Sequence, residues 1–229
     1  MSASPSLLFA AVLLATGALL KAATTSPVWY GPPGTTRQGY TFGTSSQTPA
    51  ADPLENAYGT VSSQITLGAF SDGWQDPSDP VDLSGLNSDG SWDLGLSGKF
   101  VVSAPYVPAA APPGQFYRVD FHVFAVGYRG ITALPNFTLT GVTPAGVTMT
   151  QAMVAADPLF PGATWESRTW TGSFDTISAT PVSFIITAPN NNTSVVDTVE
   201  VFTRFTLIPE PGAAALTLLA SICFVRRRR

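Results

Sequence analysis

Cysteine is nearly absent from this sequence: Cys223 is the only one in 229 residues. One thiol excludes an intramolecular disulfide and any cysteine-rich zinc site. Histidine is as rare, with His122 alone. A single imidazole cannot build a typical zinc hydrolase centre, and no G-x-S-x-G element supplies a nucleophile beside it. Charge is sparse too: Asp, Glu, Lys and Arg make up 11% of the chain, against about 25% in ordinary soluble proteins. The formal net charge of −4 hides how few basic residues the middle holds. Of 11 Lys and Arg, Lys21 and Arg226 to Arg229 stand near the ends, leaving 6 to face 15 acidic residues. A region that acidic repels a phosphate backbone, so nucleic acid is excluded as a partner. Sustained helical periodicity is also missing between Thr24 and Leu207.

What is present is turn chemistry and period-two alternation. Gly and Pro number 20 each and punctuate the whole middle of the chain. In "FYRVDFHVFAVGY", Tyr117, Val119, Phe121, Val123 and Ala125 share one face, with Arg118, Asp120 and His122 on the other. Phe124 and Val126 then continue that second face as apolar. In "VDTVEVFTRFTL", Val199, Val201, Phe205 and Leu207 point inward with Thr203 among them, alternating with Glu200, Arg204 and Thr206. Such alternation predicts strands with one buried face. Further strands are predicted over 64–70, 99–103, 137–142, 164–174 and 182–187, separated by the turns "SDG", "NSDG", "APPG" and "APNNN". About eight strands without intervening helices predict an all-β fold: an antiparallel, jelly-roll-like β-sandwich. Residues 24–53 read as an irregular entry segment with at most one strand, and 105–113 as a long loop.

The two ends differ from the middle. Residues 1–23 carry an apolar run from Leu7 to Leu20, then Lys21, Ala22 and Ala23. Small residues after an apolar run read as a secretory signal helix with its cut near Ala22 or Ala23, although no Lys or Arg leads the run. At the other end, Gly212 to Val225 would make a helix of about 21 Å, short against a hydrocarbon core of about 30 Å. Arg226, Arg227, Arg228 and Arg229 would stay cytoplasmic, placing residues 24–207 outside. Pro209 and Pro211 stop the helix from running upstream and keep Glu210 in exposed, extended backbone.

Pro209-Glu210-Pro211, the short apolar segment and the terminal arginine run together resemble the PEP-CTERM sorting signal, over residues 208–229. That resemblance implies an exported protein of a Gram-negative bacterium that makes extracellular polysaccharide. It implies recognition by a membrane-embedded exosortase and removal of the tail at or near the motif. The chain would be the substrate of that enzyme. The Sec translocon and signal peptidase would handle the other end, and the C-terminal helix would hold the membrane until processing. "SDGWQD", "GSWDLGLSG", "FYRVDFHV", "TWESRTW" and "VVDTVEV" also resemble the bodies of many uncharacterised PEP-CTERM proteins. More distantly they are similar to carbohydrate-binding jelly rolls, without a motif from which a binding residue transfers.

Candidate chemistry in the middle is thin. Asp72, Asp76, Asp79, Asp82, Asp89 and Asp93 crowd one loop, where calcium would relieve carboxylate repulsion. The same residue types also make ordinary turns. Calcium is the one cofactor the sequence raises. Trp74, Trp92, Trp165 and Trp170 are candidate platforms for sugar rings, or else core. Trp165 and Trp170, five apart, face opposite sides of a regular strand, so at most one of them is open to a ligand. Asp120 and His122 share a face with Arg118, which reads as a cross-strand-paired polar stripe more readily than a catalytic dyad. The sequence therefore predicts an exported, non-enzymatic protein of the cell surface or extracellular matrix. Two alternatives stand beside it. A carbohydrate-binding module engaging exopolysaccharide requires an exposed aromatic platform by a groove. A secreted polysaccharide hydrolase requires two carboxylates about 5 to 10 Å apart in a cleft.

Overall fold

Alternation in the two longest apolar-polar stretches produces the two longest strands, and everything else is laid against them. The computed structural model describes residues 26–31, 33–55, 58–78, 89–157, 160–210 and 212. Among them the strands are β1 (Thr35–Thr41), β2 (Leu54–Glu55), β3 (Ser62–Thr66), β4 (Gly73–Gln75), β5 (Ser91–Asp93) and β6 (Lys99–Ala104), followed by β7 (Gln115–Arg129), β8 (Asn136–Thr140), β9 (Pro144–Ala156), β10 (Thr164–Thr176), β11 (Val182–Thr187) and β12 (Val195–Pro209). They form two antiparallel sheets packed as a β-sandwich. The larger sheet runs β2-β1-β12-β7-β10-β9, with β5 joining β12 and β4 joining β5; the smaller runs β3-β6-β11-β8.

The core lies between the sheets. From β7 it takes Tyr117, Val119, Phe121, Val123 and Ala125, the face that the alternation marks as apolar. From the smaller sheet it takes Phe100, Val102, Phe184 and Ile186. Phe184 is the hub of an aromatic set: Tyr106, Phe121 and Phe137 lie 5.1, 5.6 and 6.0 Å from its ring centre. Burying each such ring contributes roughly 1.5–3 kcal/mol. Gly172 in β10 makes room for this packing, since a Cβ there would stand 2.7 Å from the Phe121 ring.

The opposite face of the large sheet carries a second, smaller cluster: Phe124, Val126 and Tyr128 of β7 with Ala163, Trp165 and Val195. This explains why the outward row of β7 turns apolar after His122. Beside it, Phe202 of β12 is fully buried on the same outward face. Tyr30 covers it edge-on at 5.1 Å, and the Arg37 guanidinium lies over it at 5.4 Å.

Two expectations need correction, on Leu207 and on the number of strands, and one is met. Leu207 is not an inward residue; it is 40% exposed, on the stretch of β12 beyond Arg204 where β1 no longer pairs with it. The entry segment holds one strand, as the sequence allowed. Its β1 pairs with β12 over seven residues and sends Gln38 and Tyr40 into the buried interior, with the Thr36 hydroxyl 2.6 Å from that of Thr203. The strand count is also higher, because β9 and the short β2, β4 and β5 carry no clear alternation. β9 is nearly all exposed along its thirteen residues, so no buried row marks it.

Candidate functional site

The Arg118, Asp120 and His122 stripe sits on the outward face of β7, and each member has its own partner. Asp120 accepts from Arg204 at 2.7 Å across to β12. Arg118 makes a two-pronged bond to Asp175 of β10, at 2.9 and 3.0 Å. His122 meets the Phe202 ring at 5.8 Å, and burial pulls its pKa below the ordinary imidazole value. The three do not converge on a common point, and the carboxylate that could orient the imidazole is committed to an arginine. A groove beside this stripe, lined by Arg118, Asp120, Gly146 and Ser173, brings one carboxylate and not two.

The tryptophans are spent on packing. Trp92, Trp165 and Trp170 are 3%, 6% and 6% exposed. Trp165 and Trp170 do face opposite sides of β10, but both sides are covered there. Trp170 stacks on Phe137 in the inter-sheet core, and Trp165 meets Tyr128 in the outer cluster. That burial removes these three as sugar platforms. Trp74 is partly buried, and its indole N–H donates to the Phe42 carbonyl at 2.8 Å.

The described part of the acidic loop is used for its own turns. One Asp93 oxygen accepts from the Gly95 amide at 2.9 Å and the other from the Asp72 amide at 3.2 Å. Burial nevertheless raises the Asp93 pKa, against the lowering effect of those amides. Asp76 binds the Ser78 amide and hydroxyl, at 2.8 and 2.7 Å. Asp79 and Asp82 lie outside the described residues. Among the described residues no three His, Cys, Asp or Glu side chains gather as a metal site, so Asp76, Asp89 and Asp93 do not meet around one point.

The most chemically distinctive surface stands at the other end of β7. The core-facing row of β10 runs Phe174, Gly172, Trp170 and then, past the core, Arg168 and Glu166. Arg129 ends the matching row of β7. Of these, Arg129 and Arg168 border an open groove of about 420 Å³ with Thr132, Asn136, Gln151 and Pro189. Glu166 is buried and accepts from Arg129 at 3.1 Å, Gln151 at 2.6 Å and Thr164 at 2.9 Å. Burial alone would raise its pKa; the bonds from Thr164, Gln151 and Arg129 outweigh burial and bring it below the usual carboxylate value.

Arg168 differs. Its Nε donates to Gln151 Oε1 at 3.1 Å, and its Nη1 reaches the carbonyls of Leu134 and Pro135 and Asn136 Oδ1, at 3.3, 2.8 and 3.3 Å. All four acceptors are neutral. Among the described residues no carboxylate stands within ion-pair distance of it. Burial and the neighbouring Arg129 charge lower its pKa, with Glu166 opposing them. None of this groove was foreseen from the sequence. The available signal was "TWESRTW", where Glu166 and Arg168 share a strand face with the core residue Trp170. A charge on a core-facing row is the informative kind of exception.

Comparisons with family models, curated proteins and solved structures found no match. Of the Pro209-Glu210-Pro211 tripeptide, Pro209 and Glu210 are described. Pro209 pairs with Gln115 as the last residue of β12, and the exposed Glu210 donates its amide to the Gly114 carbonyl at 2.9 Å. Pro211, Arg226, Arg227, Arg228 and Arg229 lie outside the described residues, as do residues 1–23.

Proposed function

We propose that the chain is an exported, non-catalytic protein of the cell surface or extracellular matrix, sorted through its C-terminal segment and trimmed by an exosortase. One observation supports the reading above the others. The last strand of the sandwich ends on Pro209, the first residue of the Pro-Glu-Pro motif, and Glu210 is exposed directly beyond it. A cut at or after the motif would therefore cost the sandwich none of its strands. In this reading residues 1–23 are a signal peptide handled by the Sec translocon and signal peptidase. Gly212 to Val225 form a short membrane helix, and the four terminal arginines hold its end in the cytoplasm. The connectivity is jelly-roll-like, a reading supported by β12 returning to lie between β1 and β7.

The proposal is tested in the native host with Glu210→Ala and with deletion of residues 226–229. Each is expected to leave full-length chain in the membrane fraction. Release and shortening equal to wild type in both variants would remove the exosortase reading.

A further inference from the structure

We infer that the groove between Arg129, Asn136, Gln151 and Arg168 binds a carboxylated sugar unit, with Arg168 as the carboxylate partner. The inference stands apart from the sorting proposal and holds whether or not the tail is cut.

Charge makes the first part of the case. The groove is lined by the cations Arg129 and Arg168, and Glu166, the anion beside it, is already engaged by Arg129. One positive charge remains, in a chain whose formal net charge is −4. Elsewhere in the large sheet each arginine has its carboxylate: Arg37 has Glu200, Arg118 has Asp175 and Arg204 has Asp120. Two guanidiniums held close repel each other, and an arriving anion relieves that repulsion.

Geometry makes the second part. A free arginine loses much rotamer entropy on gripping a ligand. Arg168 has already lost it, since four neutral acceptors on β9 and the segment into β8 fix its position. Nε and Nη1 are taken by these bonds, so the two N–H groups of Nη2 are the donors left to meet a carboxylate oxygen.

The remaining lining selects the rest of the ligand. Arg168 donates to Asn136 Oδ1, which fixes the amide and leaves its NH2 to donate to a hydroxyl. The Thr132 hydroxyl donates to the Tyr128 carbonyl and can still accept. Pro189 adds an apolar patch for the C–H face of a ring. A carboxylate beside hydroxyls on one ring is a uronate sugar. The volume of about 420 Å³ falls within the roughly 300–1,000 Å³ of small-ligand sites.

The test is titration calorimetry on the full-length chain in detergent, with tetragalacturonate as the probe. Its methyl ester, poly-glutamate and inorganic sulfate serve as comparison ligands. Tetragalacturonate is expected to bind, and to bind at least about tenfold more tightly than the ester, which keeps the ring hydroxyls and loses the charge. Arg168→Gln should lose at least about tenfold in affinity. Because Arg168 also ties the loop before β8, Asn136→Asp is the second variant. It places a carboxylate against Arg168 from within the chain, so it should keep or raise Tm while losing binding to a similar degree. Arg118→Gln, at the other end of the sheet, should bind as wild type does. Equal binding of acid and ester, unchanged binding by Asn136→Asp, or no binding of tetragalacturonate would each overturn the inference. Poly-glutamate or sulfate binding as tightly as tetragalacturonate would show a general anion site and overturn the assignment to a sugar.

Discussion

At the end where β12 leaves the sandwich, arginines and carboxylates are matched one to one. Arg118 faces Asp175 at 2.9 Å and Arg204 faces Asp120 at 2.7 Å. Toward the opposite end, at Arg168, seven residues along β10 from Asp175 and so about 23 Å away, the matching stops. Arg129 has Glu166, but among the described residues Arg168 is held by neutral oxygens alone. The first arrangement closes the surface chemically: each charge already has its partner within the fold. The second leaves a positioned cation whose natural complement is not part of the fold. The difference separates a side-chain network that only finishes a sheet from one that can take a ligand.

Four measurements sharpen that contrast, the largest first. Phe184→Ala removes the ring that links Tyr106, Phe121 and Phe137 in the core shared by both ends. It should cost about 3–5 kcal/mol in urea unfolding and weaken both ends together. Loss of the groove alone would mean that the two ends fold separately. Glu166→Ala acts at the groove end, leaving Arg129 without its carboxylate and Gln151 and Thr164 without their acceptor. The expected loss is about 1–3 kcal/mol at neutral pH. Because the folded pKa of Glu166 lies below its ordinary value, that contribution is present above about pH 4.3 and is lost as pH falls through the folded pKa. The variant should therefore flatten the acid limb of a stability-against-pH curve.

His122 lies between the ends and titrates in a higher window. Its folded pKa is depressed by burial, so the unfolded chain binds the proton more readily. Stability tied to its neutral form is complete above about pH 6.5 and falls as pH drops through the folded value. His122→Gln should remove that slope between neutrality and the carboxylate range, as followed by Tm at several pH values. The smallest effect belongs to the exit end. Arg118 and Asp175 are each nearly half exposed, and such pairs add little in water. Arg118→Gln should leave Tm within about 2 °C of wild type, and a larger drop would show that the paired end is a structural clamp.

How far the fold was legible depended on whether a strand had one dry side and one wet side. β7, β6, β11 and β10 alternate between core and solvent, and their residues announce it. β11 was bounded from the sequence at the residues where it begins and ends, Val182 and Thr187. β9 failed that test because it lies at the edge of the large sheet with Met149 and Met153 exposed, so "GVTMTQAMV" shows no buried row. β1 failed for the opposite reason: Thr36 and Gln38 are polar residues placed inside. Phe202 was missed on an otherwise polar face because its cover comes from Tyr30, 172 residues earlier in the chain. The groove was illegible for the same reason. Arg129, Asn136, Gln151 and Arg168 come from four strands, three joined by pairing in the large sheet and β8 brought in by the packing of the smaller sheet.

The central claim is that this sandwich is delivered outside the cell and parted from its C-terminal segment. Intact-mass measurement of the chain isolated from the envelope and medium of its native host tests it directly. The account predicts a species beginning near residue 23 and ending at or near Pro209-Glu210-Pro211, without the last four arginines. A recovered mass that includes residues 226–229, or that retains residues 1–23, would contradict it.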